Sequence, residues 1–174
     1  NAEFEEVIFT RGASASLNLV AESYGMSFLH EGDEIITSEL EHHSSHMPWM
    51  NVAEKVKAKV KYIPLNEEGR ITVEAFKSVL TPKTKVVAIT YVSNVMGYIT
   101  PIREIIKLAH NIGAIVTLDG AQAVPHMKVD VKELDCDFLS FSGHKLCGPT
   151  GIGVLYGKKE LLRKMPPIEF GGDM

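Results

Sequence analysis

Short apolar runs alternate along this chain with stretches of helical period. The runs Val7–Thr10, Glu34–Thr37, Val60–Ile63, Val86–Tyr91, Ile115–Leu118, Phe138–Ser140 and Gly153–Tyr156 have the length of buried strands. Between them, Ile102, Ile105, Ile106 and Ala109 recur at i, i+3, i+4 and i+7 behind Pro101, which suits a first helical turn. Val73, Phe76, Val79 and Leu80 follow a similar spacing, with Thr72 placed to cap them. A third helix opens at Arg11-Gly12-Ala13-Ser14 and carries Leu17, Val20 and Ala21. Such alternation predicts an α/β fold, a mostly parallel sheet covered by helices on both faces. No repeat, low-complexity tract or linker interrupts the pattern, so residues 1–174 read as a single domain.

Composition narrows the function classes. With 174 residues, 45% of them hydrophobic and 23% charged, the chain has the make-up of an ordinary globular domain with one sizeable core. A net charge of −4 argues against a nucleic-acid binder, which would carry a basic stripe. No apolar run reaches the length of a membrane span and no signal peptide opens the chain. Cys136 and Cys147 make no metal or redox motif, so a cytoplasmic, reducing compartment is expected. The chain starts at Asn1 directly ahead of a strand and stops at Gly171-Gly172-Asp173-Met174, which reads as a portion of something longer.

Chemistry gathers where strands end. In the segment from Ser142 to Gly153, Lys145 stands among small residues directly after an apolar run, and Asp119 closes another such run. In a sheet of this class, ligands sit beyond the carboxyl ends of the strands, so both residues are candidates for one site. Ser14, at a helix start, stands where backbone N–H groups attract a phosphate, although a serine there is also an ordinary helix cap. Asp119 could equally be a turn aspartate and Asn94 a turn asparagine. His42 and His46 are spaced i, i+4 and could share a metal on a helix, but no third ligand of the right kind follows nearby. Cys136, Cys147 and Trp49 read as packing residues.

Six segments in order carry a resemblance: Arg11-Gly12, Glu41-His42-His43 with Pro48-Trp49, Val92 to Gly97, Asp119-Gly120-Ala121-Gln122, Ser142-Gly143-His144-Lys145, and Gly171 to Met174. Together they resemble the large domain of the pyridoxal-phosphate-dependent cysteine desulfurases, in the class V aminotransferase group. The resemblance implies the type I fold of such transferases, a seven-stranded sheet with one antiparallel strand, the one ending near Tyr156. It implies pyridoxal 5'-phosphate as cofactor, with Lys145 as the lysine that forms the Schiff base and later moves the alpha proton. A sheltered amine near cationic groups gives up its proton more easily, which suits that role.

By the same resemblance, His42 stacks on the cofactor ring and relays protons, and Asp119 pairs with the ring nitrogen. Gln122 reaches the ring hydroxyl, and Asn94 lies near that hydroxyl and the substrate carboxylate. Ser14, Ser142 and His144 bind the phosphate, with Ala13 contributing only its backbone. Ala13, Ser14 and Ser16 depart from the common pattern at this turn. No metal is implied.

The implied reaction removes sulfur from L-cysteine, leaving L-alanine and a persulfide destined for a sulfur-acceptor protein in iron-sulfur cluster assembly. The persulfide cysteine, an arginine for the substrate carboxylate, an N-terminal segment and a small C-terminal domain belong to parts of such enzymes outside these residues. The 174 residues alone are therefore expected to bind the cofactor weakly and not to turn over cysteine. A homodimer is implied for the whole protein. Rival readings are a selenocysteine lyase acting on L-selenocysteine, another class V member such as a transaminase or kynureninase-like hydrolase, and a non-catalytic interaction module.

Overall fold

The computed structural model describes residues 1–172, so Asp173 and Met174 of the last resembling segment lie outside the described residues. Seven strands form one sheet: β1 (Val7–Thr10), β2 (Glu34–Ser38), β3 (Lys59–Ile63), β4 (Thr84–Thr90), β5 (Ile115–Asp119), β6 (Phe138–Ser142) and β7 (Gly153–Gly157). Their order across the sheet is β1-β7-β6-β5-β4-β2-β3. From β3 to β6 all neighbours are parallel, while β7 is antiparallel to both β6 and β1. The single reversed strand is thus the expected one. Each strand matches a predicted run to within about two residues at either end, and the extensions matter: β5 closes on Asp119 and β6 on Ser142.

Among the described residues, eight α-helical segments accompany the strands: α1 (Ala13–Val20), α2 (Met26–Phe28), α3 (His43–Val56), α4 (Val73–Val79), α5 (Ile102–His110), α6 (Ala123–His126), α7 (Val131–Leu134) and α8 (Lys159–Leu162). Alternate strand residues point to opposite faces, and the two cores follow that period. Ile36, Val87, Ile89, Val116, Leu118 and Leu139 pack against Phe76 of α4 and against Ile102, Ile105, Ile106 and Ala109 of α5, the four positions the helical spacing predicted. On the other face, Ile35, Val86, Ala88, Phe138 and Leu155 pack against Val20 of α1 and Trp49, Val52 and Ala53 of α3. Full burial of one such aliphatic side chain stabilises the fold by roughly 1.5–3 kcal/mol.

The helix starts differ in detail from expectation. Thr72 caps α4 as predicted, accepting the Ala75 N–H at 3.1 Å. Pro101 is the capping residue of α5 rather than part of its first turn. Ser14 does not cap α1: that position belongs to Gly12, which offers no side chain.

Gly153 explains why the start of α1 sits where it does. A Cβ at Gly153 would lie 2.4 Å from the Gly12 Cα, so the β1–α1 turn is pressed directly onto the backbone of β7. A side chain at Gly153 would force the two apart.

Candidate active site

The carboxyl ends of β4, β5 and β6, the start of α1 and the cap of α3 enclose a cavity of about 230 Å³. All nine predicted residues line it: Ala13, Ser14, His42, Asn94, Asp119, Gln122, Ser142, His144 and Lys145. Ser44, Thr90, Val92 and Ala121 complete the lining and were not singled out from the sequence. Thr90 and Asp119 are in register on adjacent strands, which is why the two face the same space.

At the α1 end, the Ser142 hydroxyl accepts the Ala13 N–H at 2.7 Å and so replaces the side-chain cap that Gly12 lacks. That bond leaves the hydroxyl hydrogen of Ser142 available to a ligand. Ser16 also turns inward, its hydroxyl 2.8 Å from that of Thr10 and 3.4 Å from the Gly12 carbonyl oxygen. Ser14, by contrast, is exposed, in the first turn at the edge of the cavity. A helix start with unspent N–H groups and nearby hydroxyls is suited to an anion.

Asp119 is buried at the end of β5, with 6% of its surface exposed. Its Oδ1 accepts the Ala121 N–H at 2.9 Å. Burial raises its pKa above the ordinary carboxylate value, opposed by that N–H and by the charges of Lys145 and His42. A buried acid held partly against ionisation is a receptor for a cationic N–H group, which would restore its charge.

His42 caps α3: its Nδ1 accepts the Ser44 N–H at 3.2 Å and lies 2.7 Å from the Ser44 hydroxyl. Acceptance at Nδ1 places the proton of a neutral ring on Nε2. His46 is directed elsewhere, with Nε2 2.8 Å from the Tyr62 hydroxyl. Among the described residues, no cluster of three or more metal-ligating side chains occurs.

Lys145 and His144 lie on the one-turn 3₁₀ segment Gly143–Leu146 that follows β6. Gly143 makes this turn possible, because a Cβ there would meet Ile152 Cγ2 at 2.7 Å. Lys145 is exposed to solvent instead of sheltered as expected, since the turn stands at the open rim of the cavity. Asn94 stands in the exposed loop after β4, which folds back on itself through Ser93 N–H to Tyr98 C=O and Gly97 N–H to Ser93 C=O bonds, each 3.0 Å. Gln122 precedes α6, its own carbonyl paired with His126 Nδ1 at 2.7 Å.

The two cysteines part company. Cys136 is fully buried and burial pushes its thiol up to about 12, so it is inert as read. Cys147 is not a packing residue: it adopts a left-handed conformation (φ 57°) after the lysine turn and is exposed. Trp49 is buried as expected. Among the described residues no helix is long and apolar enough to cross a membrane.

The aminotransferase class-V family model matches residues 1–174. A probable cysteine desulfurase of Halalkalibacterium halodurans is 56% identical over 170 residues, covering 98% of this chain and 42% of the relative. One from Staphylococcus aureus is 56% identical over 171 residues, with 98% and 41% covered. Among solved structures, the Escherichia coli cysteine desulfurase CsdA superposes with a TM-score of 0.96 at 45% identity, covering 99% of this chain and 43% of that one. The apo cysteine desulfurase of Thermococcus onnurineus gives 0.93 at 43% identity, with 98% and 42% covered. The chain therefore spans about two-fifths of the length of the relatives it matches.

Proposed function

We propose, from the premise that this chain belongs to the aminotransferase class-V family, that it is the cofactor-bearing part of a cysteine desulfurase. The whole protein would take sulfur from L-cysteine, release L-alanine and pass the sulfur to an acceptor protein. The observation that carries this reading is the convergence of Lys145, Asp119 and His42 on one cavity beside the start of α1, in a chain so similar to proteins of that name.

The residues fit pyridoxal 5'-phosphate by their donor set. Asp119 is a buried carboxylate with one oxygen already fixed by a backbone N–H, and the α1 start with the Ser142 hydroxyl suits a phosphate. When bound, this cofactor supplies an electron-accepting ring next to the substrate amine.

Lys145 would present its Nζ as the nucleophile toward the cofactor aldehyde and, once displaced, hold the proton leaving the substrate alpha carbon. Asp119 would keep a proton on the ring nitrogen by charge pairing. His42, fixed by its cap bonds to Ser44, would hold its ring against the cofactor, with the proton of the neutral ring on Nε2. Gln122 and Asn94 would donate to the ring oxygen, and Ser14, Ser142 and His144 to the phosphate, with the Ala13 backbone N–H orienting the Ser142 hydroxyl it already bonds. Cys136 takes no part as sulfur acceptor, because a buried thiol with a pKa of about 12 is almost wholly protonated at neutral pH.

The test is to add pyridoxal 5'-phosphate, reduce with borohydride and map the modified peptide, with Lys145→Ala as control. A phosphopyridoxyl mass confined to Lys145 is expected. Absence of that mass from folded protein, or its presence in the alanine variant at similar yield, would overturn the assignment.

A further inference from the structure

One ionisable group beside the cavity has no part in the chemistry above. Glu41 is the residue before His42, and its side chain turns inward beneath the cap of α3. One carboxyl oxygen, Oε1, accepts the Ser38 hydroxyl at the end of β2 (2.7 Å), and Oε2 accepts the Ser45 hydroxyl in the first turn of α3 (3.2 Å). Both serines are 1% exposed, so the carboxyl lies in the interior although the residue as a whole is half-buried. A backbone hydrogen bond at Thr90, the last residue of β4, adds a third support.

Three elements thus meet on one carboxyl, and they are the elements that frame His42. The groups facing Glu41 from β2, β4 and α3 are neutral; the charged group facing it is Asp119, from the end of β5, and His42 follows it in the chain. Burial, reinforced by Asp119 and opposed by the hydrogen bonds, pushes Glu41 up to about 7.

We propose that Glu41 is a positioning residue of this site: its carboxyl ties the cap of α3 to the ends of β2 and β4, which fixes the His42 ring over the cavity, and its ionisation places a second negative charge beside Asp119. The proposal rests on reading the cavity as the pyridoxal 5'-phosphate site. The neutral carboxyl keeps one full acceptor oxygen for these serines, whereas the carboxylate accepts from both hydroxyls through charge-assisted bonds, so ionisation tightens the tie. The same added charge favours the protonated form of any cationic group that Asp119 holds.

The experiment compares the intact protein with Glu41→Gln and Glu41→Ala. In cofactor-free protein, the ring nitrogen resonances of His42 are followed by NMR across the neutral pH range. An inflection near the Glu41 value of about 7 is expected in the native protein, and is expected to vanish in Glu41→Gln. With pyridoxal 5'-phosphate added, the amide should keep affinity within about threefold, because it retains one acceptor oxygen. Glu41→Ala should weaken affinity by about tenfold, as two hydrogen bonds that order the cap are lost.

The pH midpoint of the bound cofactor's visible absorbance should fall in Glu41→Gln, a shift that a purely structural role would not produce. Identical His42 titrations and unchanged affinity in all three proteins would overturn the proposal. Failure of the native protein to bind the cofactor at Lys145 would overturn the functional reading alone, since the cofactor-free titration still decides the role of Glu41.

Discussion

Asp119 stands at the last position of a buried strand, where a carboxylate is costly unless something in the cavity answers its charge. Asp119→Asn keeps an oxygen for the Ala121 N–H, so the fold should survive, while the charge facing the ligand is lost. Alanine release from cysteine by the intact protein is expected to fall by on the order of 10²–10³-fold, the usual cost of removing one preorganised electrostatic group; parallel circular dichroism would check that folding is unchanged. Asp119 and Lys145 were legible in the sequence because each follows an apolar run, and strand ends are where such sheets place chemistry. Ser44 and Thr90 were not, because they reach the cavity only through the cap of α3 and the register of β4 on β5. Cys147 was misjudged for a local reason: nothing in its neighbours announces a left-handed residue that turns the thiol outward. A brief reaction with an alkylating reagent at neutral pH should label Cys147 and spare Cys136, read by peptide mass; equal labelling of both in folded protein would contradict the burial of Cys136.

At the scale of elements, the alternation of apolar runs and helical spacing was enough to name seven strands and the inward faces of α4 and α5. Long, regular patterns survive because burial of a whole face outweighs local propensity. Which strand neighbours which was not in the pattern: the reversal of β7 followed from resemblance, and it sets Gly153 in close contact with the backbone of Gly12. That contact links stability to the site, because the same turn presents the first N–H groups of α1 and the Ala13 to Ser142 bond. Gly153→Ala should therefore destabilise the protein by about 1–3 kcal/mol, the cost of overpacking a tight interior, and weaken cofactor binding as well. Thermal unfolding and cofactor titration of the variant measure the two effects. Thr72→Ala, a cap remote from the cavity, should cost about 1 kcal/mol with no change in cofactor affinity, which separates general destabilisation from damage to the α1 turn.

For the whole molecule, the acids divide by which end of the sheet they occupy. Glu34, at the start of β2, is buried; its pKa is set by burial, which raises it, and by Thr81 and Lys61, which prevail and lower it. Asp135, near the start of β6, is likewise lowered against burial by Lys158 and His110. These groups stabilise the fold above the ordinary carboxylate pKa and lose that contribution as pH falls through their depressed values. Glu41 and Asp119, at the carboxyl ends, are raised. A raised acid binds more protons folded than unfolded, so its contribution is full below its ordinary value and is lost as pH rises through the folded one, for Glu41 about 7. Stability of the cofactor-free protein should thus peak in the mildly acidic range and decline toward pH 7, because the structural end of the sheet is made for charge and the functional end waits for it. The Glu41 part of that decline is on the order of 3 kcal/mol. Melting curves across pH should show a shallower decline between the ordinary carboxylate range and about pH 7 in Glu41→Gln, and pyridoxal 5'-phosphate should flatten it in the native protein by answering the charge of Asp119. A decline equally steep in native protein and variant would mean that Glu41 ionises as an ordinary surface acid.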